Sequence, residues 1–85
     1  MTEYLAEVRV TPREGLLDPE GKAIHNALHS LDFADVAEVR VGKLIRVRLK
    51  ARSAAEAQTR LDAMCRKLLA NPVTDDYDIA LEQAV

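Results

Sequence analysis

The chain has 85 residues, enough for one small domain spanning 1–85. A domain of that size buries only about 60–65% of its unfolded surface, so association with a second copy or a partner is expected. The composition is 48% hydrophobic and 31% charged with only 3 Gly and 3 Pro, which excludes a disordered or low-complexity chain. A net charge of −2 with 4% aromatic residues argues against nucleic-acid binding, which calls for a basic footprint and stacking rings.

Cys65 is the single cysteine and has no intramolecular disulfide partner, which fits a reducing compartment. The start, Met1-Thr2-Glu3-Tyr4, lacks a basic region leading into an apolar run, so no signal peptide is predicted. No apolar stretch approaches the ~20 residues that span a bilayer. The expected location is the cytoplasm.

Residues 3–11 alternate, with Tyr4, Ala6, Val8 and Val10 on one side, and predict a half-buried strand that Pro12 ends. A loop follows around Gly15. Asp18-Pro19-Glu20 opens a helix over about 19–31: Asp18 caps, Pro19 needs no N–H partner, and Glu20 suits the positive dipole end. Ile24, Ala27, Leu28 and Leu31 form its apolar stripe. Residues 36–41, VAEVRV, alternate again. Gly42-Lys43 reads as a tight hairpin turn into a strand over 44–51, with Ile45, Val47, Leu49 and Ala51 inward and Arg46, Arg48 and Lys50 outward. Ser53-Ala54-Ala55-Glu56 matches a capping box. It opens a second helix whose expected stripe is Ala57, Leu61, Met64, Cys65 and Leu68, stopped by Asn71-Pro72. A last strand at about 77–82 puts Tyr77, Ile79 and Leu81 on one face.

The order βαββαβ predicts an α+β, ferredoxin-like domain, with two helices on one face of a four-stranded antiparallel sheet. The other face would carry mixed charge, with Glu3 and Glu7 pairing across to the basic row.

Little in this pattern carries chemistry. Cys65 lies on an apolar stripe and reads as core rather than nucleophile. His25 and His29 have metal-chelating i, i+4 spacing, but Asn26 stands where HExxH needs Glu and no third ligand is evident, so a solvated helix face is expected. The basic row lacks the aromatics of an RNA-binding sheet. Neither GxxxxGK[ST] nor GxGxxG occurs. A domain that binds something, and performs no catalysis of its own, is the reading.

Three segments then resemble the PurS family. Leu17-Asp18-Pro19-Glu20-Gly21-Lys22-Ala23-Ile24 followed by Ala27-Leu28 is similar to its "DPxGxAI…AL" segment. Val39-Arg40-Val41-Gly42-Lys43 resembles "VRxGK", and Leu68-Leu69-Ala70-Asn71-Pro72-Val73 with Tyr77 resembles "LLxNPVIEDY". Leu31-Asp32-Phe33 departs from the usual Leu-Gly, and Thr74-Asp75-Asp76 from Ile-Glu-Asp. The resemblance implies the small subunit of phosphoribosylformylglycinamidine synthase in de novo purine biosynthesis. That enzyme amidates formylglycinamide ribonucleotide with ATP, magnesium and glutamine. The implied small subunit has no catalytic residues and binds no metal or cofactor. It forms a homo-oligomer, dimer or tetramer, and holds a large ligase subunit and a glutaminase subunit together so that ammonia passes between them. The expected partner contacts are Arg40, Gly42, Lys43, Asn71, Pro72 and Val73, because an exposed hairpin tip contributes little to a core. The alternatives are a free-standing ACT-like module binding small ligands, and a small ferredoxin-like isomerase or monooxygenase, which would need a polar pocket between sheet and helices.

Overall fold

The alternation of residues 3–11 becomes the central strand of the sheet. A computed structural model describes residues 1–16 and 18–84; Leu17 of the Asp-Pro segment and Val85 lie outside them. The elements are β1 (Thr2–Pro12), α1 (Pro19–Ser30), β2 (Lys43–Ala51), α2 (Ala54–Met64), a π-helical turn (Cys65–Leu69) and β3 (Asp75–Gln83). β1 pairs antiparallel with both neighbours, giving the order β2-β1-β3. The register sets Val8 opposite Ile45 and Ile79. One side of the sheet is therefore apolar, and α2 packs there. Tyr4, Ala6, Val8, Val10, Ala51, Ala57, Leu61, Cys65 and Ala70 are buried, with Val8, Leu61 and Cys65 fully so.

Both helix starts behave as their sequences require. The Asp18 side chain accepts from the Gly21 N–H at 3.0 Å. Ser53 accepts from the Glu56 N–H at 3.1 Å, while Glu56 reaches back to the Arg52 N–H at 3.4 Å, one residue before the expected box partner.

Among the described residues the sheet has three strands, not four. Residues 36–41 have the alternation of a strand but no strand partner among those residues. The reason lies at Gly42, which lacks the positive φ of a tight hairpin turn. Its backbone stays straight, so residues 36–41 run off the end of the sheet in line with β2 instead of folding back beside it. There they lie along α1, and the two form an arm. This α–extended arm, residues 18–42, projects from the sheet end, and the chain measures 52 × 29 × 14 Å. Only α2 covers the chain's own sheet, so the expected second helix on that face is absent from it. Ile24 on the α1 stripe is 41% exposed, and Leu31 and Phe33 just beyond the helix are 65% and 51% exposed.

The second helix also differs near its end. The Ala70 N–H bonds to the Cys65 carbonyl, one residue wider than an α-turn. The inserted residue rotates the stripe, so Leu69 is half-buried and Leu68, expected inward, is 82% exposed.

Candidate functional site

The expected contact residues collect at one end of the sheet, where the arm begins. Asp18 is the hub. Its Oδ1 accepts from the Gly21 N–H at 3.0 Å and its Oδ2 from the Val41 N–H at 2.9 Å. These two backbone donors, with a smaller contribution from the Arg40 charge, hold its carboxyl below the ordinary value of 3.8. One aspartate thus caps α1 and ties it to the extended segment.

Two glycines make this approach possible. A Cβ on Gly21 would run into the Asp18 carboxylate and the Val39 carbonyl. A Cβ on Gly42 would run into the Val10 carbonyl and Thr11. Close backbone approach, not turn geometry, therefore explains Gly42. His25 and His29 clamp the far end of the arm. Both Nε2 atoms meet the Val36 carbonyl, at 3.2 and 2.8 Å, with ring centroids 4.4 Å apart. The helix face expected to be merely solvated thus carries a latch. Among the described residues, no group of three His, Cys, Asp or Glu side chains comes together to hold a metal ion.

Arg40-Val41-Gly42-Lys43 is consequently not a hairpin tip. Val41 and Gly42 are anchored in the arm root, and Lys43 opens β2 opposite Val10. Arg40 reaches Glu38 at 3.9 Å. The other expected segment has clear local work. Asn71 accepts from the Val73 N–H at 2.9 Å and donates its own N–H to Asp75 at 2.9 Å, turning the chain into β3. Val73 is left 75% exposed. Arg13, which no sequence motif singles out, joins the two segments' surroundings. Its guanidinium donates to the Pro72 carbonyl at 2.7 Å and pairs with Asp76 at 3.3 Å, while its N–H donates to the Thr74 carbonyl at 2.8 Å. A shallow depression of about 290 Å³ between arm and sheet is lined by Arg13, Lys22, His25, Glu38 and Arg40 among others.

Elsewhere the chemistry is structural. Cys65 is fully buried; burial first, and the Asp62 charge second, push its thiol above the ordinary 9.0. Such a thiol stays protonated at neutral pH and is a poor nucleophile. The Tyr77 hydroxyl donates to Asp62, whose other oxygen pairs with Arg66 at 3.0 Å, so β3 is fastened to the second helix. That hydrogen bond to Asp62, above all, raises the Tyr77 phenol from its ordinary 10.0. On the open face of the sheet, Glu7–Arg46 at 3.4 Å and Arg9–Asp78 at 3.1 Å pair directly across the strands, and Glu3 reaches Arg48 at 3.9 Å diagonally, since Lys50 is the residue opposite it. A groove of about 550 Å³ crosses that face over Leu5, Glu7, Arg46, Arg48, Ala80 and Glu82. It does not lie between sheet and helices, where the isomerase reading needed one.

Comparison with known proteins decides what this arrangement is. The family model described as phosphoribosylformylglycinamidine (FGAM) synthase, PurS, matches residues 5–83. The chain belongs to the PurS family. A PurS subunit from Archaeoglobus fulgidus is 44% identical over 75 residues, covering 88% of this chain and 94% of that protein. The PurS structure from Thermus thermophilus superposes with a TM-score of 0.85 at 37% identity, covering 98% and 99% of the two chains. A chain of the PurLQS structure from Thermotoga maritima gives 0.88 at 27% identity, covering 96% of this chain and all of that one. Within this family the Asp-Pro-x-Gly segment and the Gly42 segment acquire a physical meaning: in this chain they build the arm root. PurS membership also replaces the free-standing ACT-like reading.

Proposed function

We propose that this chain is the non-catalytic small subunit of phosphoribosylformylglycinamidine synthase, assembling a ligase and a glutaminase subunit for ATP- and glutamine-dependent amidation of formylglycinamide ribonucleotide. The observation that carries the reading is the likeness to a chain of PurLQS, over 96% of this chain and the whole of that one. The buried, protonated Cys65 supports it, since a glutaminase nucleophile of cysteine type must be reachable and ionisable. In this reading ATP, magnesium and glutamine serve the complex and bind elsewhere. The subunit works in the cytoplasm as a homo-oligomer, and ammonia released by the glutaminase reaches the ligase within the assembly it organises.

The arm-root end of the sheet is the proposed contact surface. Lys43, Pro72, Val73 and Leu68 are exposed there, and Arg40 offers a planar fork to a partner carboxylate. Co-purification with the two larger subunits in glutamine and ATP tests the assignment. The chain should be retained by them, and free passage through the column would contradict it. The Arg40→Ala, Lys43→Ala double variant should keep its melting behaviour within about 0.5 kcal/mol and weaken that retention. Retention equal to wild type would move the interface elsewhere.

A further inference from the structure

His25 and His29 stand one turn apart on the same face of α1. Their Nε2 atoms meet at one oxygen, the Val36 carbonyl, at 3.2 and 2.8 Å, and the ring centroids are 4.4 Å apart. A carbonyl only accepts, so both rings carry their proton on Nε2 in the metal-free chain. The helical spacing supplies two nitrogen ligands. The fold adds a third donor from the backbone, which is why no group of three ligating side chains marks the place among the described residues.

The separations suit a shared ion. Metal–ligand bonds of about 2.1 Å set at right angles place neighbouring ligand atoms about 3.0 Å apart, and the two nitrogen–oxygen separations lie on either side of that value. Right-angled, tetragonal sets of nitrogen and oxygen ligands are those of nickel(II) and copper(II). The surroundings favour a cation. Residues 23–39 contain Asp32, Asp35 and Glu38 but no Lys or Arg. His29 lies in the last turn of α1, at the negative end of the helix dipole. His29 is exposed and His25 half-buried, so an ion reaches them from solvent.

We propose that His25 Nε2, His29 Nε2 and the Val36 carbonyl oxygen form a three-donor face for a divalent late transition metal of the nickel or copper type, with water in the remaining positions. A small rotation of each ring turns its Nε2 lone pair from the oxygen to an ion held beside it. Each ring's proton moves from Nε2 to Nδ1, so both imidazoles stay neutral and no net proton is released. Three coordinate bonds then replace two hydrogen bonds between α1 and the extended segment, and the latch tightens. Magnesium, which prefers oxygen ligands, is not the ion this donor set selects.

Nickel(II) is the probe, added to the full chain carrying no added histidines. A single equivalent should broaden the NMR signals of both imidazoles and of the Ala37 amide, which shares a peptide unit with the Val36 carbonyl. Signals near Met1 and Cys65 should stay sharp. His25→Gln and His29→Gln each keep an amide that can donate to Val36 while removing an imidazole ligand. Each should retain the wild-type circular dichroism and weaken nickel binding by calorimetry about 10–100-fold, at least what loss of a partner beyond the ligands costs a metal site. Nickel should raise the melting temperature of the wild type and leave that of the double variant unmoved. Broadening centred on Met1 or on the carboxylates of the sheet face would overturn the site, as would no binding at millimolar nickel. Loss of binding in only one variant would reduce it to a single-imidazole contact and overturn the chelate. The broadening pattern is read on the wild type and decides the matter even where a variant unfolds. None of these outcomes bears on co-purification with the larger subunits, which judges the subunit role separately.

Discussion

Gly42 leaves no room for a side chain, and the strain of adding one falls on backbone atoms that cannot swing aside. Gly42→Ala should therefore destabilise the fold by about 1–3 kcal/mol, read from urea unfolding. A change within noise would show that the arm root gives way easily. Asp18 makes a pH prediction. Its folded-state value lies below the ordinary 3.8, so the stability it contributes is complete above that value and is lost as pH falls through the folded value. The Val41 amide resonance should titrate in that acid range in the wild type and stay flat in Asp18→Asn. Cys65 should resist alkylation in the native chain and react on unfolding; fast native labelling would contradict its burial. These residues are unevenly legible in the sequence. Asp18 is readable as a cap, because caps are local. Its second bond to Val41, 23 residues away, is not. Gly42 stands out in the sequence but for the wrong cause, since a sequence does not distinguish a glycine that turns from one that lets backbones touch.

At the scale of elements, periodicity places all three strands and both helices within a few residues. It does not tell whether 36–41 pairs within the chain, because alternation reports a strand's two faces and not the location of its neighbour. The π-helical turn is also unreadable, and with it the exchange of Leu68 for Leu69 at the core. Asp32 departs from the PurS pattern at a position whose backbone geometry suits glycine. It takes φ +72° at the end of α1, a conformation that favours glycine, and the PurS pattern usually has glycine there. Asp32→Gly should stabilise the chain by about 0.5 kcal/mol, the left-handed cost removed being partly offset by the freer unfolded state. A thermal melt that moves downward would contradict this.

For the whole molecule, a chain with one helix over three strands and an uncovered arm is only part of a finished structure. It buries a small core around Val8, Leu61 and Cys65 and presents edges and apolar stripes that other chains can complete. Its named chemistry is concerned with holding shape: a capping aspartate, a histidine latch, a buried thiol and a tyrosine clasp. Such a molecule suits organising other subunits, and the small size of the chain points the same way. The direct measurement is amidation of formylglycinamide ribonucleotide by the ligase and glutaminase subunits with and without this chain, fed either glutamine or free ammonia. Glutamine-dependent synthesis should require the chain, while ammonia-dependent synthesis by the ligase subunit should persist without it. Glutamine-dependent synthesis that runs equally well in its absence would contradict the account.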